Sequence, residues 1–203
     1  MRSLFKSALF GAVVIVAAAT GGTARAEAYC YTLDPEHLLV GFLVDHVGFA
    51  KTFGQFDKVT GSFCFDEQSR ALSDVRITME TASVNTHHGA RDRHLRSKDF
   101  LNADKFPQIT FAGTASNPTG DRKGTVTGDL TLLGRTMPLT LDVVWNKSGA
   151  YPFGEKHYAI GISARGSLKR SAYGMTYGVA EKLVGDDVEI LIEFEGKRGE
   201  RKK

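Results

Sequence analysis

Histidines are the side chains of this 203-residue chain best suited to acid–base or metal chemistry, and their spacing argues against both. His87, His88 and His94 lie close together, and His46 stands apart. None falls in an HExxH pattern or in the paired spacings of zinc sites, so no metal site is expected. Asp45 beside His46 and Asp92 near His94 are acid–histidine neighbours. Yet no G-x-S-x-G elbow, phosphate loop or G-x-G-x-x-G fingerprint supplies a nucleophile or a cofactor cradle. No catalytic residue and no cofactor is assigned. What remains is recognition, with histidine and arginine holding the polar end of a ligand whose remainder is apolar. The alternative is an enzyme that uses His46 as acid or base, since a free imidazole titrates near about 6.5.

The apolar partners of these groups follow from parity. Leu38, Val40, Phe42, Val44 and His46 share one face of a strand, so His46 is expected as a polar group on an apolar wall. A histidine satisfied within the core is the structural reading of the same pattern. The run Arg91-Asp92-Arg93-His94-Leu95 sits in a non-alternating segment from Asn85 to Pro107. A short helix from about Gly89 to Lys98 would put Arg91, His94, Leu95 and Lys98 on one side and let Asp92 pair with Arg96. Leu95 suggests that this side docks on something apolar. A connection this long within a β domain is often a lid or binding element. A second irregular stretch, Leu168 to Gly178, has room for one turn of helix.

The elements that hold these groups read as strands almost throughout. Val75, Ile77 and Met79 alternate with polar residues, as do Val126 to Leu132, Leu139 to Trp145 and Val188 to Phe194. Shorter candidates are Tyr29 to Leu33, Leu38 to Val47, Phe53 to Phe65, Ile109 to Ser116 and Tyr158 to Ser167, which makes eight or nine strands. Gly120-Asp121, Gly134-Arg135 and Gly185-Asp186 suit tight hairpins. Strands with one apolar face and short turns predict an all-β antiparallel sandwich or barrel in a single domain. An eight-stranded barrel has room inside for packed side chains or for one slender ligand.

The ends carry different information. Arg2 and Lys6, the apolar run Ala8 to Ala19 and the small-x-small Ala24-Arg25-Ala26 read as a cleaved signal peptide over 1–26. Export to the periplasm follows from that reading. Residues 27–196 are expected as the barrel and 197–203 as a solvated basic tail, with membrane-surface contact as its functional alternative. Without that tail the body is slightly acidic, which excludes a nucleic-acid binder with a folded basic face. In an oxidising compartment Cys30 and Cys64, each between aromatic neighbours, face the question of a disulfide that sequence leaves open.

Several ordered motifs resemble the YceI-like family of secreted lipocalin-like proteins. They are YTLDPEH, GFLVDHVGFAKTFGQF, TGSFCFD, ASVNT with RDRHLRSKDFLNADKFPQITF, GDLTLLGRTMPLTLDV and LKRSAYGM. The resemblance spans nearly all of Tyr31 to Phe194. It implies an eight-stranded antiparallel lipocalin-like barrel with a short helical segment at its mouth. It also implies a polyisoprenoid or other long-chain lipid in the lumen, a homodimer, and through relatives linked to cytochrome b561-type membrane proteins a quinone-related ligand. Carried over by position, His46, Arg91, Asp92 and His94 are the polar ligand-binding candidates, and Phe42, Leu95, Phe100 and Phe111 the apolar ones. Val44 and Trp145 join them from the strand pattern.

Overall fold

The computed structural model describes residues 28–201, without the side chains of 200 and 201; the expected signal peptide lies outside the described residues. Its strands are β1 (Tyr29–His46), β2 (Ala50–Phe56), β3 (Val59–Asp66), β4 (Ala71–Glu80), β5 (Val84–Asn85), β6 (Gln108–Pro118), β7 (Lys123–Leu132), β8 (Arg135–Ala150), β9 (Tyr158–Lys169) and β10 (Val184–Arg201). They form one antiparallel sheet, closed because β10 pairs with β1 as well as β9.

The ten strands make eight staves. β1 pairs with β3 at Tyr29–Thr32 and with β2 at Gly41–His46, so β2 and β3 are two halves of one stave. β4 lies beside β3 and β5 beside β2, so these two are likewise one stave, interrupted by a 3-10 turn at Thr81–Ser83. The expected run Phe53 to Phe65 is therefore one stave with a break at Asp57–Lys58.

The two runs expected at Tyr29–Leu33 and Leu38–Val47 are joined in the single strand β1. Its register against β10 shifts between Leu33 and Leu38. Pro35 lies in the shift, where a residue without an N–H costs the ladder nothing. The extra residues switch the inward parity from Tyr31 and Leu33 to Leu38, Val40 and Phe42. Without that switch half of β1 would turn its apolar side chains to solvent.

Two glycines make room for rings against the wall. Phe42 lies opposite Gly54, and a Cβ there would come 2.3 Å from Phe42 Cζ. A Cβ at Gly128 would come 2.4 Å from Phe111 Cζ. Both rings can lie flat on the wall because these positions lack side chains.

Cys30 and Cys64 face each other across β1 and β3 and are bridged, which answers the question the sequence left open. Neither lines the interior. Closing a loop with a sequence separation of 34 restricts the unfolded chain by about 3–4 kcal/mol. Replacing both cysteines by serine should lower the unfolding free energy by that order, read from the denaturant midpoint. Reductant should shift the wild type alone.

The expected solvated tail is partly structure. β10 continues through Arg201, Lys197 Nζ lies 3.2 Å from the buried Asp34 carboxylate, and the Arg198 guanidinium stacks 3.8 Å from the Tyr158 ring centre.

Candidate functional site

Apolar side chains from every stave point inward, but they do not meet. They enclose a cavity of about 750 Å³, inside the range of small-molecule sites. Its middle is wholly hydrocarbon: Phe42, Ile77, Phe111, Leu141, Ile162 and Ile192. The cavity reaches from Val47 and Leu183 at one end to Arg70 and Lys123 at the other.

Polar groups gather at the two ends. Helix α1 (Gly89–Arg96) lies across the first, and Ala90, Arg91, His94 and Leu95 line the cavity from it. This is the mouth. His88 caps the helix, accepting from Arg91 N, and the helix stops at Ser97, whose backbone is extended. The helix is thus slightly shorter than the expected Gly89–Lys98, but the predicted Arg91, His94 and Leu95 share the inward side.

Thr86 fixes the helix in place. Arg91 donates from Nε to Thr86 Oγ1 and from Nη2 to Thr86 O, both at 2.8 Å. Thr86 in turn donates to Asp92 Oδ1 from its backbone N at 2.8 Å and its hydroxyl at 2.5 Å. Arg96 does not form the expected surface pair with Asp92; it donates to the carbonyls of Ala82 and Val84. Asp92 is buried and does not line the cavity; its contacts with Thr86 position the helix. The other nine predicted residues, His46, Phe42, Val44, Arg91, His94, Leu95, Phe100, Phe111 and Trp145, all line it.

Burial opposes ionisation of Asp92, but the Thr86 hydrogen bonds and the nearby Arg96 and Arg91 outweigh it and hold the carboxyl below its ordinary value. A native value below the unfolded one stabilises the fold above the usual carboxylate range, and that part is lost as pH falls through the lowered value. Asp92→Asn should therefore flatten the stability loss between about pH 5 and pH 2. Asp92→Ala should cost about 1–3 kcal/mol by leaving the buried Thr86 donors without an acceptor. Chemical denaturation across pH checks both.

His46 stands at the last position of β1, exposed at the rim. The parity argument put it on the correct face, but it is neither a core histidine nor a post deep in the wall. His94 Nε2 lies 3.1 Å from Asp99 Oδ2, and its ring meets Phe100 and Tyr177 edge-on at 4.9 and 5.0 Å. Tyr177 completes this side of the mouth.

Arg170 is the main lining residue the sequence reading did not assign. It lies in the expected helical turn, observed as 3-10 at Arg170–Tyr173, and is 2% exposed. Its guanidinium donates to the carbonyls of Gly185, Met175, Tyr177 and Val184 at 2.7–2.9 Å, and it lies over the Phe100 ring. Burial pulls its pKa down, partly offset by Asp186. The motif LKRSAYGM showed a turn with an Arg-x-x-x-Gly pattern. Only the fold shows that this arginine is the hub of the segment carrying Tyr177 and Leu183.

At the far end Arg70 ties the β3–β4 turn to the β6–β7 hairpin through Gly120 O and Asp121. Arg122 lies over Trp145, whose indole Nε1 is buried without a hydrogen-bond partner among the described residues. His87, His88 and His94 form no metal cluster. Among the described residues only Asp34, Glu36 and His37 come close enough together, outside the lumen, and Lys197 already sits against Asp34.

This architecture has known counterparts. The YceI-like domain model matches residues 31–196. Protein YceI of Shigella flexneri is 36% identical over 191 residues, covering 94% of this chain and 97% of its own. The crystal structure of Burkholderia cenocepacia BcnA superposes with a TM-score of 0.72 at 25% identity, covering 80% of this chain and 98% of that one. A polyisoprenoid-binding domain from Saccharophagus degradans, implicated in plant cell wall breakdown, shares the fold with a TM-score of 0.59 at 13% identity, over 84% of this chain and 99% of that one. The closed barrel, the helix across its mouth and the match over nearly all of it lead to one conclusion: the chain belongs to the YceI-like family.

Proposed function

We propose that the barrel binds one long-chain amphiphilic lipid, of polyisoprenoid type, without catalysing a reaction. The observation that carries this reading is the cavity itself: about 750 Å³ with a hydrocarbon middle and polar groups confined to its ends. Burying apolar surface there gains roughly 25 cal/mol per Å². The middle offers no hydrogen bond to a polar ligand, whereas Arg91, His94 and His46 at the mouth suit a head group. The name of the Saccharophagus degradans domain agrees with this ligand class. A cleaved leader, a periplasmic role in storing or carrying the lipid, a quinone-related head group, a cytochrome b561-type partner and a homodimer are further parts of the reading. They rest on the sequence and the family resemblance.

A series of isoprenoid alcohols of increasing length, competing with a fluorescent fatty-acid probe, tests the reading. Affinity should rise with each unit and then stop rising once the lumen is full. No displacement at any length would refute it. His46→Gln separates binding from catalysis. The variant should keep its ligand with at most a modest loss, because the rim histidine contributes one hydrogen bond, about 1 kcal/mol.

A further inference from the structure

Five large hydrophobic side chains are exposed among the described residues, and four of them ring the mouth: Val47, Phe49, Tyr177 and Leu183. Only Phe153 lies at the other end, on the β8–β9 hairpin. Val47, Leu183 and Tyr177 are physically joined. Val47 N donates to Leu183 O, Leu183 N donates to Gly178 O beside Tyr177, and Tyr177 packs on His94 of α1. Phe49 is 92% exposed at the tip of the β1–β2 hairpin.

That tip is built against conformational preference. Phe49 N bonds to His46 O, closing a turn whose central residues Val47 and Gly48 have φ of 55° and 73°. Asn-Gly is the usual pair for two positive φ values, and a β-branched residue there is strained. Asp45 Oδ1 accepts from Gly48 N and steadies the turn. The chain keeps valine and phenylalanine where folding favours a polar residue, which points to a use outside the fold.

The charge beside the rim is positive. α1 and its exit carry Arg91, Arg93, Arg96 and Lys98 against two carboxylates, the buried Asp92 and Asp99, which lies on His94, and Arg93 and Lys98 are exposed with no ion-pair partner among the described residues. Aromatic and aliphatic side chains flanked by free cations fit the interface of an anionic bilayer. We infer that the mouth docks on an anionic membrane surface, Phe49 and Val47 entering the head-group layer so that the lumen opens directly onto lipid. This rests on the lipid-binding reading for its purpose. It also turns the basic C-terminal strand end, at the opposite end of the barrel, away from the membrane.

Flotation with vesicles tests it, using phosphatidylcholine alone or with about one-third phosphatidylglycerol. The wild type should float with the mixed vesicles, and salt should release it. Val47→Asn with Phe49→Ser should cut binding at least tenfold while melting no lower, because the turn strain is relieved. Arg93→Glu with Lys98→Glu should lose binding to mixed vesicles only. Phe153→Ser should float like the wild type. The inference falls if the wild type does not float, or if the Val47/Phe49 variant floats as well as it does. Self-association by sedimentation that Phe49→Ser abolishes, without flotation, would also overturn it and assign the face to a second copy. Delipidated protein should still float, so docking and lumen binding can fail separately.

Discussion

Replacing Ala164 by tryptophan is expected to empty the barrel of ligand without unfolding it. Ala164 sits mid-strand on β9, paired with Val143 and Ile192, and its small side chain faces the cavity. An indole there would cross the hydrocarbon middle and stop a chain from threading past. A ligand denied about 100 Å² of apolar contact loses roughly 2.5 kcal/mol, close to a hundredfold in affinity. The protein itself fills an existing space, so its stability should hold or rise by about 0.5–2 kcal/mol. Probe displacement and thermal melting read the two effects on one sample. Loss of binding with an unchanged or higher melting temperature is the signature of a lumen site. Unchanged binding would move the ligand elsewhere.

Replacing Arg170 by methionine should produce the opposite pattern, a severe loss of stability. Four carbonyls now answered by one guanidinium would lose that donor, one in a buried bond and three in partly buried ones. Each such acceptor costs about 1–3 kcal/mol, and water entering the space recovers part of it. A net loss of about 3–5 kcal/mol is expected, or roughly 10 °C in melting temperature for a domain of this size. Arg170→Lys should recover only part, because an ammonium lacks the planar five-donor fork. All four carbonyls, on Met175, Tyr177, Val184 and Gly185, belong to or adjoin the loop that builds the mouth. Backbone hydrogen exchange there should therefore speed up more than in β6 or β7.

Much of the molecule was legible in its residues because strand periodicity and turn chemistry are local. The parity of Leu38 to His46 identified a lumen face, and Arg91, His94 and Leu95 were correctly grouped on one helical side. The misses have a common cause, since each depends on where an element sits in three dimensions. The expected strand ran to Val47, one residue past His46, but parity carries no depth, so a rim residue looked like one in a wall. A register shift at Pro35 divided β1 into two apparent strands. Asp92 and Arg96 are four apart, the spacing of a surface pair, but the helix turns the carboxylate inward onto Thr86. The residue pattern places Arg170 only in a short helical turn, with no burial or role assigned to it. Its burial follows from the carbonyls that the loop before β10 turns toward it, and the residues of that loop do not advertise their backbone direction.

Native mass spectrometry of the protein, purified without detergent from its own source, tests the central claim most directly. One apolar molecule should travel with each barrel, adding a single defined mass to the wild type and none to Ala164→Trp. A wild type at its bare polypeptide mass, indistinguishable from the blocked variant, would contradict it.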